Sequence, residues 1–181
     1  FDTASNFNQD ISNWDVSNVT NINGMFWNAP SFNVDISGWN VSNVTNMRRM
    51  FYGASNFNQE ISSWDVSNVT NMEQTFGSAS SFNGDISAWD VSNVVDMDGM
   101  FNGATTFTSD LSEWDVSNVV NMWGTFMNAT SFDSDLSSWN VASVTTFENT
   151  FNNTGISYFN KCAIHESWSD QNDNWAYDWS E

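Results

Sequence analysis

The sequence predicts an α/β solenoid, a right-handed coil of about six turns in which each turn holds a short strand and a short helix. Three observations predict it: a strict 25-residue period, an alternating segment in each unit and a segment with apolar spacings of three and four. Each unit forms one equal turn, since an insertion would shift every stacked residue after it. We expect the solenoid to occupy residues 1–151 and a C-terminal cap to occupy residues 152–181.

Aromatic and aliphatic residues recur at the same position of each 25-residue unit. We call each such set of equivalent residues a column. A tryptophan column recurs every 25 residues, and phenylalanine, valine and alanine columns share the period. Apolar residues at constant phase predict core packing rather than a cofactor site. A hydrophobic fraction of 40% is enough for a continuous core. The tryptophans are Trp14, Trp39, Trp64, Trp89, Trp114 and Trp139.

Each unit divides into a predicted strand and a predicted helix. Residues 14–16 alternate apolar, polar, apolar, as a short strand does. Apolar residues within 22–29 are spaced by three and four, which predicts a helix of about two turns. Residue 20 or 21 stands at the N-cap position, and Thr70 with Glu73 predicts a capping box in the third copy.

Charge and reactive residues narrow the class of function. The net charge is −19 with only three Lys and Arg, so we expect no nucleic-acid partner and no membrane insertion. Cys162 and His165 are the single cysteine and histidine, three residues apart in the cap, and we expect them to serve the cap rather than catalysis. Without a phosphate-binding loop or a hydrolase motif, the sequence predicts no enzyme.

The spacing I-x-x-W-x-V-x-x-V-x-x-M-x-x-M-F-x-x-A resembles the BspA-type leucine-rich repeat, in the W-D-V-S-N-V-T-N-M branch of bacterial and mycoplasmal surface proteins. The resemblance covers residues 1–151, and 160–165 with 174–179 resemble the cap of such arrays. It implies a leucine-rich-repeat-like coil, an extracellular or cell-surface location, and adhesion or protein interaction without known catalysis. Val19 stands where ordinary leucine-rich repeats carry asparagine, so we expect the buried asparagine ladder to shift to Asn18.

One column of the repeat is always acidic, and it admits three interpretations. The carboxylates could cap backbone N–H groups at a corner of each turn. They could instead hold a row of Ca²⁺ ions, the one cofactor that the sequence admits, although the glycine-rich calcium-repeat signature is absent. Simple tolerance at high ionic strength is the third. The column consists of Asp10, Asp35, Glu60, Asp85, Asp110 and Asp135.

Binding is expected where the copies differ, because constant columns serve the core. Exposed aromatic side chains next to arginine are typical of a hot spot for a protein or glycan partner. Four of the candidates lie on adjacent turns and are expected to be neighbours. The predicted binding residues are Trp27, Arg48, Arg49, Tyr52, Trp123 and Met127.

The primary functional prediction is a non-catalytic extracellular or cell-surface repeat module that mediates adhesion or binds a protein or glycan. One alternative is a structural subunit of a filament, sheath or coat, which self-associates through the solenoid ends. An unpaired turn at Phe1 would expose aromatic core, and we expect the chain to be a processed or excised piece of something longer. Another alternative is an ice- or mineral-binding solenoid, weakened because the Thr20 column changes to Val95 and Val120.

Overall fold

The computed structural model describes residues 1–175 and 177–179. The predicted cap extends over Ala176, Ser180 and Glu181, which lie outside the described residues. Within the described part of the chain there is one helix, α1 (Tyr158–Gln171), and no multi-residue strand. Isolated parallel bridges connect residues 25 apart in place of a sheet: Asn21–Asn46, Asn46–Asn71, Asn71–Asp96, Asp96–Asn121 and Asn121–Thr146.

The predicted α/β solenoid of strand and helix turns is therefore wrong. Residues 14–16 form no strand, residues 22–29 form no helix, and the Thr70–Glu73 capping box has no helix to begin. What remains of the prediction is the period: each 25-residue unit makes the same contacts with the next. We number the units from residue 10, so that the first is 10–34, the second 35–59 and the third 60–84.

Each unit is a succession of tight turns. The Trp14 N–H donates to the Ile11 carbonyl at 3.0 Å, and the Val19 N–H donates to the Val16 carbonyl at 2.9 Å. Further turns of the same span follow along 22–32, with donors at 25, 27, 29 and 32. Successive turns of three residues also repeat apolar side chains at spacings of three and four. That is why a helical pattern in the sequence does not produce a helix here.

Residues with positive φ exclude the helix directly. Gly24 has φ +62° and Asn28 has φ +50°, and these two positions are left-handed in the following units as well. Left-handed residues break an α-helix, which needs consecutive right-handed residues. Alternate N–H groups instead leave the unit: Phe26 donates to the Met50 carbonyl at 2.9 Å, and Asn28 donates to the Tyr52 carbonyl at 2.7 Å. Hydrogen bonds between units thus replace those within a helix.

The core consists of stacked aromatic columns, as the sequence predicts. Phe26 and Phe32 stack within the first unit at 3.7 Å between ring centroids. Phe26 and Phe51 stack between units at 5.8 Å, and equivalent phenylalanines repeat this contact along the array. Both columns are completely buried in the interior units. Burial of each ring contributes about 2–3 kcal/mol, so the columns dominate the stability of the array.

The C-terminal helix continues the array in a different backbone conformation. Helix α1 begins after Ser157, whose hydroxyl accepts a hydrogen bond from the Asn160 N–H at 3.4 Å. Its buried residues are Ile164 and Trp168. The Trp168 ring stacks on Trp139 at 6.0 Å, so it occupies the next place in the tryptophan column. Nowhere in residues 1–175 and 177–179 is a helix long and apolar enough to cross a bilayer.

Candidate functional site

The acidic column forms turns that are closed by its own side chains. Asp10 Oδ1 accepts hydrogen bonds from the Ser12 N–H at 2.9 Å and the Ser12 hydroxyl at 2.7 Å. These two bonds lower the pKa of Asp10, the hydroxyl being the larger cause. The backbone bond recurs at Asp35, Asp85, Asp110 and Asp135. These five carboxylates thus cap backbone N–H groups at a corner, which is one of the three interpretations of this column.

The calcium interpretation gains no support from the geometry. Among the described residues, no group of three or more carboxylate, histidine or cysteine side chains is arranged to hold a metal ion. The six candidates belong to six different units: Asp10, Asp35, Glu60, Asp85, Asp110 and Asp135. Ca²⁺ requires six or more oxygen ligands around one point.

Side chains of the Asn18 column bond consecutive units, as expected from Val19, but they are exposed, so the expected burial of the ladder is wrong. Asn43 Nδ2 donates to the Ser17 carbonyl of the preceding unit at 2.7 Å. Asn68, Asn93 and Asn118 repeat the bond at 2.8 Å. The column therefore ties consecutive units together and belongs to the scaffold, not to a binding surface.

Two arginines and one glutamate form the centre of the strongest candidate site. Arg48 Nη2 donates to Glu73 Oε1 at 2.9 Å, while Nε lies 2.7 Å from Oε2 in an ion pair without hydrogen-bond geometry. Arg49 Nη2 reaches the same carboxylate at 3.1 Å. One carboxylate thus holds two guanidinium groups, which fixes both side chains while leaving about a third of each exposed. These are two of the three basic side chains of a chain with net charge −19.

Trp27 extends the cluster toward the first unit. The Arg49 guanidinium lies 5.6 Å from the centroid of the Trp27 ring, in a cation–π contact. Arg49 Nε also donates to Gln74 Oε1 at 3.0 Å. The Trp27 indole N–H is buried and has no hydrogen-bond partner among the residues that the structure describes. Arg49, in the second unit, is therefore held by contacts with both the first and the third units.

Tyr52 completes the surface that we call the arginine patch: Trp27, Arg48, Arg49, Tyr52, Glu73 and Gln74. The Tyr52 ring lies directly over Gly77, where an added Cβ would be 2.7 Å from Tyr52 Cδ2. Gly77 thus leaves room for the Tyr52 ring, and any larger residue at this position would clash with it. Of the four residues predicted to be neighbours, Arg49 contacts the Trp27 ring, and the Tyr52 N–H donates to the Arg49 carbonyl at 3.2 Å.

The other two predicted binding residues do not join the patch. Trp123 and Met127 lie in the fifth unit, three units from the arginines, and both are partly buried. Met127 packs near Gly124, where an added Cβ would lie 3.7 Å from its Cβ. No described contact connects either residue with the arginine patch.

Sequence reasoning missed the partners that organise the patch. The sequence predicts a capping role for Glu73 and none for Gln74, and it predicts neither residue as an acceptor for the arginines. Both positions lie 25 residues after the arginines, so the period itself was the available signal. Asp98 borders Glu73 from the fourth unit, and burial, with the charges of Glu73 and Asp96, raises the pKa of its carboxyl group. Negative charge is thus concentrated on the side of Glu73 away from the arginines.

The cap residues considered for catalysis are placed differently from a reactive pair. His165 Nδ1 accepts a hydrogen bond from the Trp175 indole N–H at 3.0 Å. That bond joins α1 to the segment after it. Cys162 is a partly buried free thiol on the same helix. The bond from Trp175 is a structural contact within the cap.

Comparison with known proteins yields one match. No curated protein matches the chain, and no solved structure matches it. A family model described as "Mycoplasma protein of unknown function, DUF285" matches residues 1–81 and 59–168. The two matches overlap and together extend from the first residue into α1, which is well over half of the chain. The chain is therefore a repeat protein that belongs to the DUF285 family.

Proposed function

We propose that the chain is a non-catalytic module, exposed outside the cell or at its surface, that binds a protein partner through the arginine patch. Adhesion is the role that this binding would serve. The resemblance to the BspA-type branch supports the surface location and is part of the same proposal. The stacked units act as a rigid support on which a few variable side chains are displayed.

The observation that carries the proposal is the backbone conformation at Arg49 and Gln74. Both residues are left-handed, with φ of +54° and +53°. The first, fourth and fifth units place Gly24, Gly99 and Gly124 at the same position, and the sixth places Asn149, a residue that tolerates this conformation, there. A non-glycine residue costs about 1 kcal/mol or more there. Units two and three therefore accept backbone strain in order to present an arginine and a glutamine on the surface.

The chemistry of the patch favours a protein partner. Tryptophan, tyrosine and arginine are the residues most enriched at the energetic centres of protein interfaces. The ion pairs with Glu73 fix both guanidinium groups before binding, which lowers the entropic cost of association. Arg49 covers a face of Trp27 at 5.6 Å, so that face is not free for the stacking of a sugar ring. A glycan partner is accordingly an alternative outcome of the test.

The charge of the whole chain specifies the partner further. With a net charge of −19, the chain attracts a basic protein surface over long range, and salt screens this attraction. The arginine patch provides a local exception, at which an acidic group of the partner can replace or join Glu73. We expect the association rate to fall steeply with salt and the dissociation rate to depend on the patch.

The test is binding of the purified chain to immobilised extracellular-matrix and cell-surface proteins, alongside a glycan array. The variant Arg48→Asn/Arg49→Gly places the residues of the first unit, Asn23 and Gly24, on the second unit. It should bind its protein partner at least tenfold more weakly, while the thermal midpoint changes little. Tyr52→Asn, which copies Asn102 of the fourth unit, should weaken binding as well.

A charge-matched control separates the patch from the general field. Arg48→Asn/Arg49→Gly makes the chain two charges more negative, and so does Asn13→Asp/Ala88→Asp at exposed residues elsewhere. The control variant should retain binding. Equal binding by both double variants, or binding confined to glycans, would refute the proposed protein interface.

A further inference from the structure

We propose that the fourth and fifth units carry a second interaction surface, which binds an arginine side chain of a protein partner. We call it the tryptophan surface and define it by Val95, Asp98, Val120, Trp123 and Met127. The third unit precedes it and the sixth unit follows it, so its exposure does not depend on either end of the array. None of its residues belongs to the arginine patch, and it would bind a different chemical group.

Two valines expose apolar surface at a position where the other units carry threonine. Val95 is 45% exposed and Val120 is 38% exposed. The threonine hydroxyl at this position donates to a carbonyl of the preceding unit, as Thr145 does to Val120 at 3.1 Å. Thr45 and Thr70 make the same bond, both at 3.2 Å. The valines thus remove a bond between units and expose methyl groups to water, which the scaffold alone does not require.

Trp123 and Met127 add apolar surface to the fifth unit, and both are partly buried. The Met127 side chain lies beside Gly124, where an added Cβ would be 3.7 Å from Met127 Cβ and 3.8 Å from its methyl carbon. The position of Trp123 is polar in all the other units, so the tryptophan is an exception to its column. The equivalent residues are Asn23, Arg48, Glu73, Asp98 and Glu148.

A carboxylate lies next to Trp123 in the preceding unit. Asp98 occupies the position of Trp123 in the fourth unit. The Gly99 N–H donates to the Trp123 carbonyl at 2.7 Å, which holds the two segments side by side. Burial, with the charges of Glu73 and Asp96, raises the pKa of the Asp98 carboxyl group. A cation placed beside Asp98 would offset this repulsion, because an opposite charge stabilises the ionised carboxylate.

The arginine patch indicates which cation an indole ring and a carboxylate hold in this array. The Arg49 guanidinium lies 5.6 Å from the centroid of the Trp27 ring, and its Nη2 lies 3.1 Å from Glu73 Oε1. Trp123 and Asp98 present the same two groups, but the fourth and fifth units contain no lysine or arginine. We infer arginine rather than lysine, because a planar guanidinium can stack on an indole and pair with a carboxylate at once.

The remaining features of the tryptophan surface specify what accompanies the arginine. An apolar side chain of the partner would remove the exposed methyl groups of Val95 and Val120 from water. The net charge of −19 attracts a basic segment over long range and repels an acidic one. The occupant is therefore a protein segment in which an arginine lies close to an apolar residue.

The experiment titrates the full chain with the peptide acetyl-Gly-Arg-Val-Gly-amide at physiological salt, which screens the general attraction of the chain for cations. A second peptide carries citrulline, an uncharged analogue of the same shape, in place of arginine. NMR follows the indole N–H signal of Trp123, which is identified by its loss in Trp123→Asn. We expect a saturable shift with the arginine peptide and about tenfold weaker binding of the citrulline peptide, which cannot pair with Asp98.

Substitutions copied from other units provide matched variants that the array already accommodates. Asp98→Asn, which copies Asn23, should weaken binding of the arginine peptide about tenfold. Asp90→Asn removes the same charge from an exposed residue of the fourth unit and copies Asn40, and it should leave the Kd unchanged. Val95→Thr/Val120→Thr restores the threonine of the other units and should weaken binding about threefold without lowering the thermal midpoint.

Three results would overturn the proposal. Equal weakening by Asp98→Asn and Asp90→Asn would show that the peptide responds only to the general field of the chain. Equal binding of the two peptides would show that the surface takes an uncharged ligand. The absence of a saturable shift at the Trp123 indole would show that the peptide binds elsewhere. Arg48→Asn/Arg49→Gly should not weaken binding of the arginine peptide, so this outcome is separate from that of the arginine patch.

Discussion

At each end of the array, an apolar unit lacks a neighbouring unit on one side. The two ends differ in how far that unit is covered. At the C-terminal end, α1 and the segment after it cover the last unit, and Phe151 is 5% exposed. At the N-terminal end, Trp14 and Phe1 are 47% and 41% exposed. Every interior unit is completed by its neighbours on both sides. The comparison shows that a unit is stabilised mainly by its contacts with the units or the cap on either side.

The cap makes the contacts that a further unit would make, but it does so from a helix instead of a row of turns. Trp168 donates its indole N–H to the Leu136 carbonyl at 3.0 Å, as Trp139 does to Leu111 at 2.8 Å. Asn172 Nδ2 donates to the carbonyls of Val141 and Val144, both at 2.7 Å. A helix can thus end an array of turns, provided that a few side chains occupy the column positions.

The largest expected difference between the ends is at the tryptophans. Trp168→Ala should lower the free energy of unfolding by about 3–5 kcal/mol, because it removes a completely buried ring and leaves a cavity. Trp14→Ala should lower it by about 1 kcal/mol, since half of that ring is already exposed. Denaturant unfolding of both variants measures the comparison. Equal losses would show that Trp14 is covered in solution.

An intermediate difference is expected at the asparagines of the two ends. Asn172→Ala should cost about 1–3 kcal/mol, because two buried carbonyls lose their donor. Asn18→Ala should stay within about 0.5 kcal/mol, since Asn18 is exposed and outside the interior ladder. Chemical denaturation decides this prediction too. A cost at Asn18 as large as that at Asn172 would contradict the exposed position of Asn18.

The smallest expected effect concerns Tyr177 and alkaline pH. Burial raises the pKa of its hydroxyl above the ordinary value, although the bond from the Phe151 N–H opposes the shift. A raised folded-state pKa means that the unfolded chain loses its proton first, so stability falls as pH rises above about 10. Tyr177→Phe should cost about 1 kcal/mol at pH 7 and reduce this alkaline loss. Thermal midpoints at pH 7 and pH 10.5 measure both effects, and an unchanged alkaline loss in Tyr177→Phe would contradict the raised pKa of Tyr177.

The sequence predicted the period and the core but not the backbone. Residues of constant phase, such as Trp39, Phe51 and Val44, had to be buried whatever the local conformation. The apolar spacing at 22–29 suited a helix as well as a row of tight turns. Gly24, Gly99 and Gly124 at one position were the signal against a helix. The arginines at the second unit obscured that signal, because Arg49 is left-handed without being glycine.

The arginine patch was predictable in its members but not in its geometry. Stacking at a fixed period places Trp27, Arg48 and Tyr52 on adjacent units. The shared carboxylate of Glu73 depends on which rotamers reach across the units, and neither spacing nor composition specifies them.

The central claim is that hydrogen bonds between units, rather than within helices, hold residues 22–28 of each unit. Scalar couplings across hydrogen bonds, measured by NMR on the labelled chain, test it most directly. We predict couplings from the Phe26 N–H to the Met50 carbonyl and from the Phe51 N–H to the Thr75 carbonyl, together with the turn bond from Met25 to Ile22. Couplings from each N–H to the carbonyl four residues before it, across 22–29, would contradict the account.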